Sequence, residues 1–120
     1  MNPNTNKNII SADASVNQNG MVLPAYRVSA VSAQAVVVGT STGTLNIEAS
    51  NDVRPVLDSA GRPAPVNWSN IPTVGTIAIA GAGVYLIPSF NICYNYVRAS
   101  FVADNAASGT INVNVQTYGF

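Results

Sequence analysis

Gly109 to Thr117 reads Gly-Thr-Ile-Asn-Val-Asn-Val-Gln-Thr, and this alternation decides the fold class. Ile111, Val113 and Val115 fall on one side of an extended chain, and Asn112, Asn114 and Gln116 on the other. A period of two marks a β-strand with one buried face and one wet face. Gly43 to Ser50 (GTLNIEAS) repeats the pattern, setting Leu45, Ile47 and Ala49 against Asn46, Glu48 and Ser50. Tyr94 to Ala103 (YNYVRASFVA) puts Val97, Ala99 and Phe101 on one face and Tyr94, Tyr96, Arg98 and Ser100 on the other.

Working outward, Thr73 to Ala80 and Val84 to Ile87 give two more strands, split by the turn Gly81-Ala82-Gly83. Tyr26 to Val38 supplies two strands or one long bent strand, and Asn67 to Ile71 adds a short one. Turn signals separate them at 39–43, Asp58 to Pro65, Ile71-Pro72, Pro88-Ser89 and 104–109. No segment sustains the three-and-four apolar spacing of a helix. The reading is an all-β protein, an antiparallel β-sandwich of seven to eight strands, jelly-roll-like, over residues 21–120.

Charge is scarce. Only 8% of the 120 residues are charged, against roughly 25% in an average domain. Five basic and five acidic side chains cancel to a formal net charge of zero, and there is no histidine. Without a basic field, nucleic acid is not an expected partner. Asn, Ser, Thr and Gln replace charge, and such a surface is cheap to desolvate against other protein. The apolar windows Ala33 to Val38 and Ile77 to Ile87 are short and broken by glycine, so no membrane span is expected. Met1 to Gly20 has neither a basic start nor an apolar run, so a soluble chain made in the cytoplasm is expected.

Residues 1–20 read as a separate, Asn-rich extended arm, with asparagine at positions 2, 4, 6, 8, 17 and 19 and one apolar pair, Ile9-Ile10. Asparagine competes locally for backbone hydrogen bonds, so an arm of this kind is ordered only when something holds it. Its own domain and a neighbouring subunit both qualify. Asn4, Ile9 and Ile10 are the candidate contacts.

Catalytic chemistry is poorly supplied. Lack of histidine removes the usual general base, the Ser-His-Asp and Cys-His nucleophiles and the commonest zinc ligand. Glu48 and Asp52 are the carboxylates nearest a pair, but one lies on a strand and the other in a turn. The loop from Asn51-Asp52 to Asp58 offers oxygens for calcium, or an Asx turn closing a strand. Gly81-x-Gly83 precedes a strand rather than a helix, so it reads as a hairpin and not a phosphate loop. Cys93, the lone cysteine, reads as a small core residue within Ile92-Cys93-Tyr94. No cofactor, metal or enzymatic activity is expected. Trp68 is either core or edge packing or, with Asp52, a sugar-stacking platform. Tyr94, Tyr96 and Arg98 form an aromatic-cation stripe suited to a protein partner.

GTLNIEASND (43–52), NWSNIP (67–72), GTIAIAGAGVYLIP (75–88), YNYVRASFVAD (94–104) and SGTINVNVQTYG (108–119) together resemble small β-sandwich virion proteins of tailed bacteriophages. More distantly, the same order resembles discoidin-like, galactose-binding jelly rolls. The first resemblance implies a capsid decoration or head–tail accessory protein, located in the virion, binding other virion proteins as a homo-oligomer. The second implies a carbohydrate-binding module on a tail or fibre, although the chain lacks a clear set of polar loop ligands for sugar.

Overall fold

The alternation at the chain's end is realised as drawn from sequence. The computed structural model describes residues 2–25, 28–104 and 108–119, with side chains from residue 13 onward. Strand β10 (Gly109–Gly119) buries Ile111, Val113, Val115 and Thr117 and turns its asparagines and Gln116 outward. Against it lies β4 (Val28–Gly39), one long strand whose Val31, Ala33, Ala35 and Val37 meet the same core. On the facing sheet, β5 (Thr42–Ser50) buries Leu45, Ile47 and Ala49, and β9 (Tyr96–Ala103) buries Val97, Ala99 and Phe101.

The remaining strands are β1 (Asn2–Asp13), β2 (Gln18–Asn19), β3 (Leu23–Pro24), β6 (Ser69–Asn70), β7 (Thr76–Ala80) and β8 (Gly83–Asn91). One sheet runs β1-β10-β4-β8. The other runs β2-β9-β5-β6, with β3 beside β9 and β7 beside β5. All the pairings are antiparallel. Taking β2 with β3 and β6 with β7 as two broken strands gives eight positions, ordered 1-8-3-6 in one sheet and 2-7-4-5 in the other. That order is a jelly roll: every connection but one carries the chain to the opposite sheet.

From Asn2 onward the N-terminal stretch is built into this sandwich. β1 pairs with β10 from Asn2↔Gly119 to Asp13↔Thr110, and β2 pairs with β9. Of the two supports open to the segment, its own domain is the one seen here. The physical reason is the outer edge of β10, whose backbone groups need partners that an extended chain supplies regardless of side chain. The side chains of Asn4, Ile9 and Ile10 lie outside the described part.

Cys93 corrects an expectation. It is exposed. Ile92 takes the inward position, its N–H donating to the Ser29 carbonyl at 3.0 Å, and alternation then sends Cys93 outward.

Phe101 is the largest fully buried side chain, and the backbone of β5 passes against it. A Cβ at Gly43 would stand 2.9 Å from the Phe101 ring and closer still to the Val102 carbonyl, so only glycine fits. Gly43→Ala is expected to cost about 1–3 kcal/mol through forced displacement of the ring or strand, read as a lower urea midpoint at unchanged slope.

Candidate functional site

Between β5 and β6 the chain leaves the sandwich and forms a projecting loop over residues 51–68. Its tip is a small hairpin. Asp58 Oδ1 accepts the N–H groups of Ala60 and Arg62, both at 2.9 Å, and the Asp58 N–H donates to the Arg62 carbonyl at 2.8 Å. Gly61 supplies the positive φ (77°) that such a turn demands. Leu57 bridges Pro63, and the Ala64 N–H donates to the Val56 carbonyl at 2.8 Å.

The foot of the loop is tied by Asp52. Its Oδ2 accepts the N–H groups of Val66 (2.8 Å) and Asn67 (3.1 Å), and its Oδ1 accepts from Asn67 Nδ2 at 2.9 Å. Asn95 binds the other side, its N–H donating to Asn51 Oδ1 at 3.0 Å and its Nδ2 to the carbonyls of Asn51 and Asp52 at 3.2 and 3.3 Å. These donors favour the ionised carboxylate. The Asn67 side chain, then the Val66 and Asn67 N–H groups, hold the Asp52 pKa below the ordinary aspartate value. Asp52 therefore closes a turn and clamps the two ends of the loop together.

Trp68 forms the inner wall. Its Nε1–H donates to the Pro65 carbonyl at 2.8 Å, and the Arg98 guanidinium lies 4.3 Å from the ring centroid. Arg98 Nε in turn donates to Glu48 Oε1 at 2.7 Å, the two residues facing each other across the β5–β9 ladder. Charge, ring and carboxylate make one stack on the outer face of the sheet, with a cation–π contribution of about 0.5–2 kcal/mol. One face of the indole is thus occupied by Arg98, where a sugar would stack. Beside it, Ser50, Asn51, Asn67, Asn70 and Tyr94 line a neutral basin of about 310 Å³. The aromatic-cation stripe is regrouped: Tyr94 precedes β9 and packs on the core, while Arg98 turns to Trp68. Glu48 and Asp52 each have their own partners and do not act as a carboxylate pair. Among the described residues no three acid, thiol or imidazole groups converge to hold a metal ion.

What the loop presents is apolar. Val53, Val56 and Val66 are 78%, 78% and 79% exposed, and Leu57 is 61% exposed. Four large aliphatic side chains held out on a braced hairpin form a patch that water disfavours and another protein covers at little ordering cost. Sequence reasoning passed over them because Pro, Asp, Arg and Gly mark the stretch as turn. The available signal was aliphatic residues that no strand period claims.

A second surface is the outer face of β10, β4 and β8, three adjacent strands containing no Asp, Glu, Lys or Arg. Ser32, Gln34, Leu86, Pro88, Asn114 and Gln116 line a shallow groove there of about 370 Å³.

These features define a jelly-roll β-sandwich with an apolar projecting loop and a charge-free sheet face. No protein-family model matches the chain, and no curated protein matches it. Among solved structures it is similar to PBSX exported protein XepA, with a TM-score of 0.70 and 15% identity over 98% of this chain. The chain spans 38% of the length of that protein. The likeness shows the fold. The coat protein of Tobacco streak virus is also similar, at a TM-score of 0.37 and 11% identity over 99% of this chain and 90% of that one, too slight to add to it.

Two outcomes test the loop. Because Asp52 has a lowered pKa when folded, its contribution is present above the ordinary carboxylate range and lost as pH falls through the lowered value. Below about pH 4, the amide NMR shifts of Val66 and Asn67 should move together, and in Asp52→Asn that titration should vanish. Trp68 is the only tryptophan. Arg98→Gln should therefore shift the protein's single indole emission while costing no more than about 1–2 kcal/mol of stability in urea unfolding.

Proposed function

We propose that this chain is a non-enzymatic structural subunit of a phage virion, a capsid decoration (cement) or head–tail accessory protein. It works by surface burial. The observation that carries the reading is the pairing of a braced, apolar-tipped loop with a charge-free sheet face. Water disfavours the apolar loop, and the sheet face is neutral and cheap to desolvate against protein. Jelly rolls serve widely as viral shell domains, and the likeness to XepA is in keeping with a phage setting.

In this reading, Val53, Val56, Leu57 and Val66 dock in an apolar depression of a neighbouring virion protein. The Asn/Gln/Ser face of β10 and β4 lies against the shell, and the free edge of β1 is offered to a different virion protein. Tyr96 sits next to β3 at the sheet margin, where it can join the same contact. Many copies bound at once make weak single contacts firm.

The test is incorporation. In particles purified from infected cells, the wild-type chain should be found at fixed stoichiometry. Leu57→Asp should lower occupancy by about tenfold, the effect of losing 1.4 kcal/mol per contact. As an exposed substitution it should change unfolding stability by only about 0.5 kcal/mol. Particles that lack the wild-type chain would overturn the proposal.

A further inference from the structure

A sheet edge is an open row of backbone donors and acceptors, and folded proteins blunt it with short strands, bulges, lysine or proline. The edges of this sandwich can be compared one by one. β1 carries two register shifts, between Pro3 and Thr5 and between Asn8 and Ile10, and contains Lys7 and Asp13. On the other sheet β2, β3 and β6 are two residues long, and β7 is five. β8 is different. It runs nine residues, has β4 as its one hydrogen-bonded neighbour, and carries no charge. Its bulge and Pro88 come late, so Gly83 to Ile87 pairs with Val37 to Ala33 without interruption.

That stretch is also apolar where it meets water. Val84 and Leu86 are 63% and 58% exposed, and Val38, on the neighbouring strand β4 and the same face, is 62% exposed. Beneath the edge, where the two sheets part, Val74, Ile77, Leu86 and Phe90 line a mostly apolar cleft of about 280 Å³. No charged residue occurs anywhere from Pro63 to Val97, a stretch that contains β6, β7 and β8.

We propose that the free edge of β8 is the site of a two-fold, antiparallel β8–β8 pairing between two copies of this chain. The occupant follows from symmetry and charge. Around a two-fold axis each strand meets itself reversed, so a strand of net charge meets the same charge and residues beside the axis meet their own copies, and like charges directly opposite are destabilising. A neutral strand has nothing to repel its own copy, and β8 is the long, uninterrupted edge of that kind. A heterologous partner more often supplies complementary charge. Pairing joins the two four-stranded sheets into one and brings Val84 and Leu86 of each copy together over the seam. The inference deepens the virion reading by naming how copies meet, and it rests on that reading only for why they meet.

The experiment uses the purified full chain, so its failure leaves incorporation into particles to be judged separately. Sedimentation velocity should show a concentration-dependent dimer. Val84→Lys/Leu86→Lys and Val84→Glu/Leu86→Glu should each be monomeric, with circular dichroism unchanged. An equimolar mixture of the two should dimerise again, because only mixed pairs bring opposite charges together. A chain that stays monomeric at all concentrations overturns the proposal. So does a dimer that survives both double substitutions, an assembly other than a dimer, or a mixture that stays monomeric.

Discussion

The strands β4, β5, β9 and β10 each have one face that must leave water and one that need not, and that asymmetry governs the molecule. A single sheet cannot bury its own apolar face, so two sheets must be laid against each other. The chain meets this by changing sheet at nearly every connection, so each strand's apolar row is answered by the next strand's. The residues that close the gap are small: Ala33, Ala35, Ala49 and Ala99 lie inward beside the larger Phe101, Leu45 and Ile47. Gly43 belongs to the same constraint, since the strand passes the Phe101 ring with no room for a side chain.

The inward row leaves the outward one free, and here the outward row is unusual. Most charges of the described residues lie with one sheet: Glu48 and Arg98 cancel across the β5–β9 ladder, and Asp52, Arg54, Asp58 and Arg62 sit in the projecting loop, while Lys7 and Asp13 are on β1. The acids in that loop are spent on backbone N–H groups rather than on solvent-facing pairs. They stiffen the hairpin so that its valines and leucine stay exposed, an arrangement that favours contact with protein over solubility. On the opposite sheet, three strands in a row hold only neutral side chains.

The strands were legible because period two is a local signal. GTINVNVQT and GTLNIEAS announce their buried faces without help from the rest of the chain. The same rule, applied past the strand ends, misled. Ile92-Cys93 looked like core, yet one of two neighbours in an extended chain must face out, and Ile92 had the better claim. Residues 1–20 looked separate because asparagine has little strand propensity, while the force that orders the segment is the unsatisfied edge of a strand a hundred residues later. The loop site was half legible. Asp52 as a turn residue follows from its type, but its partners at 66–67 and the stacking of Arg98 on Trp68 depend on the ladder register. No reading of Asn67 or Arg98 in isolation supplies that register.

The position of β10 has a cost in time. It lies between β1 and β4, so the middle of its sheet is the last of these strands to leave the ribosome. Until it arrives, β1 has no ladder to join and the inward side chains of β4 and β5 are only partly roofed. Pairings this distant in sequence form slowly and leave sticky surface open meanwhile. A chain with so few charges to keep nascent copies apart is therefore vulnerable to self-association during its own synthesis.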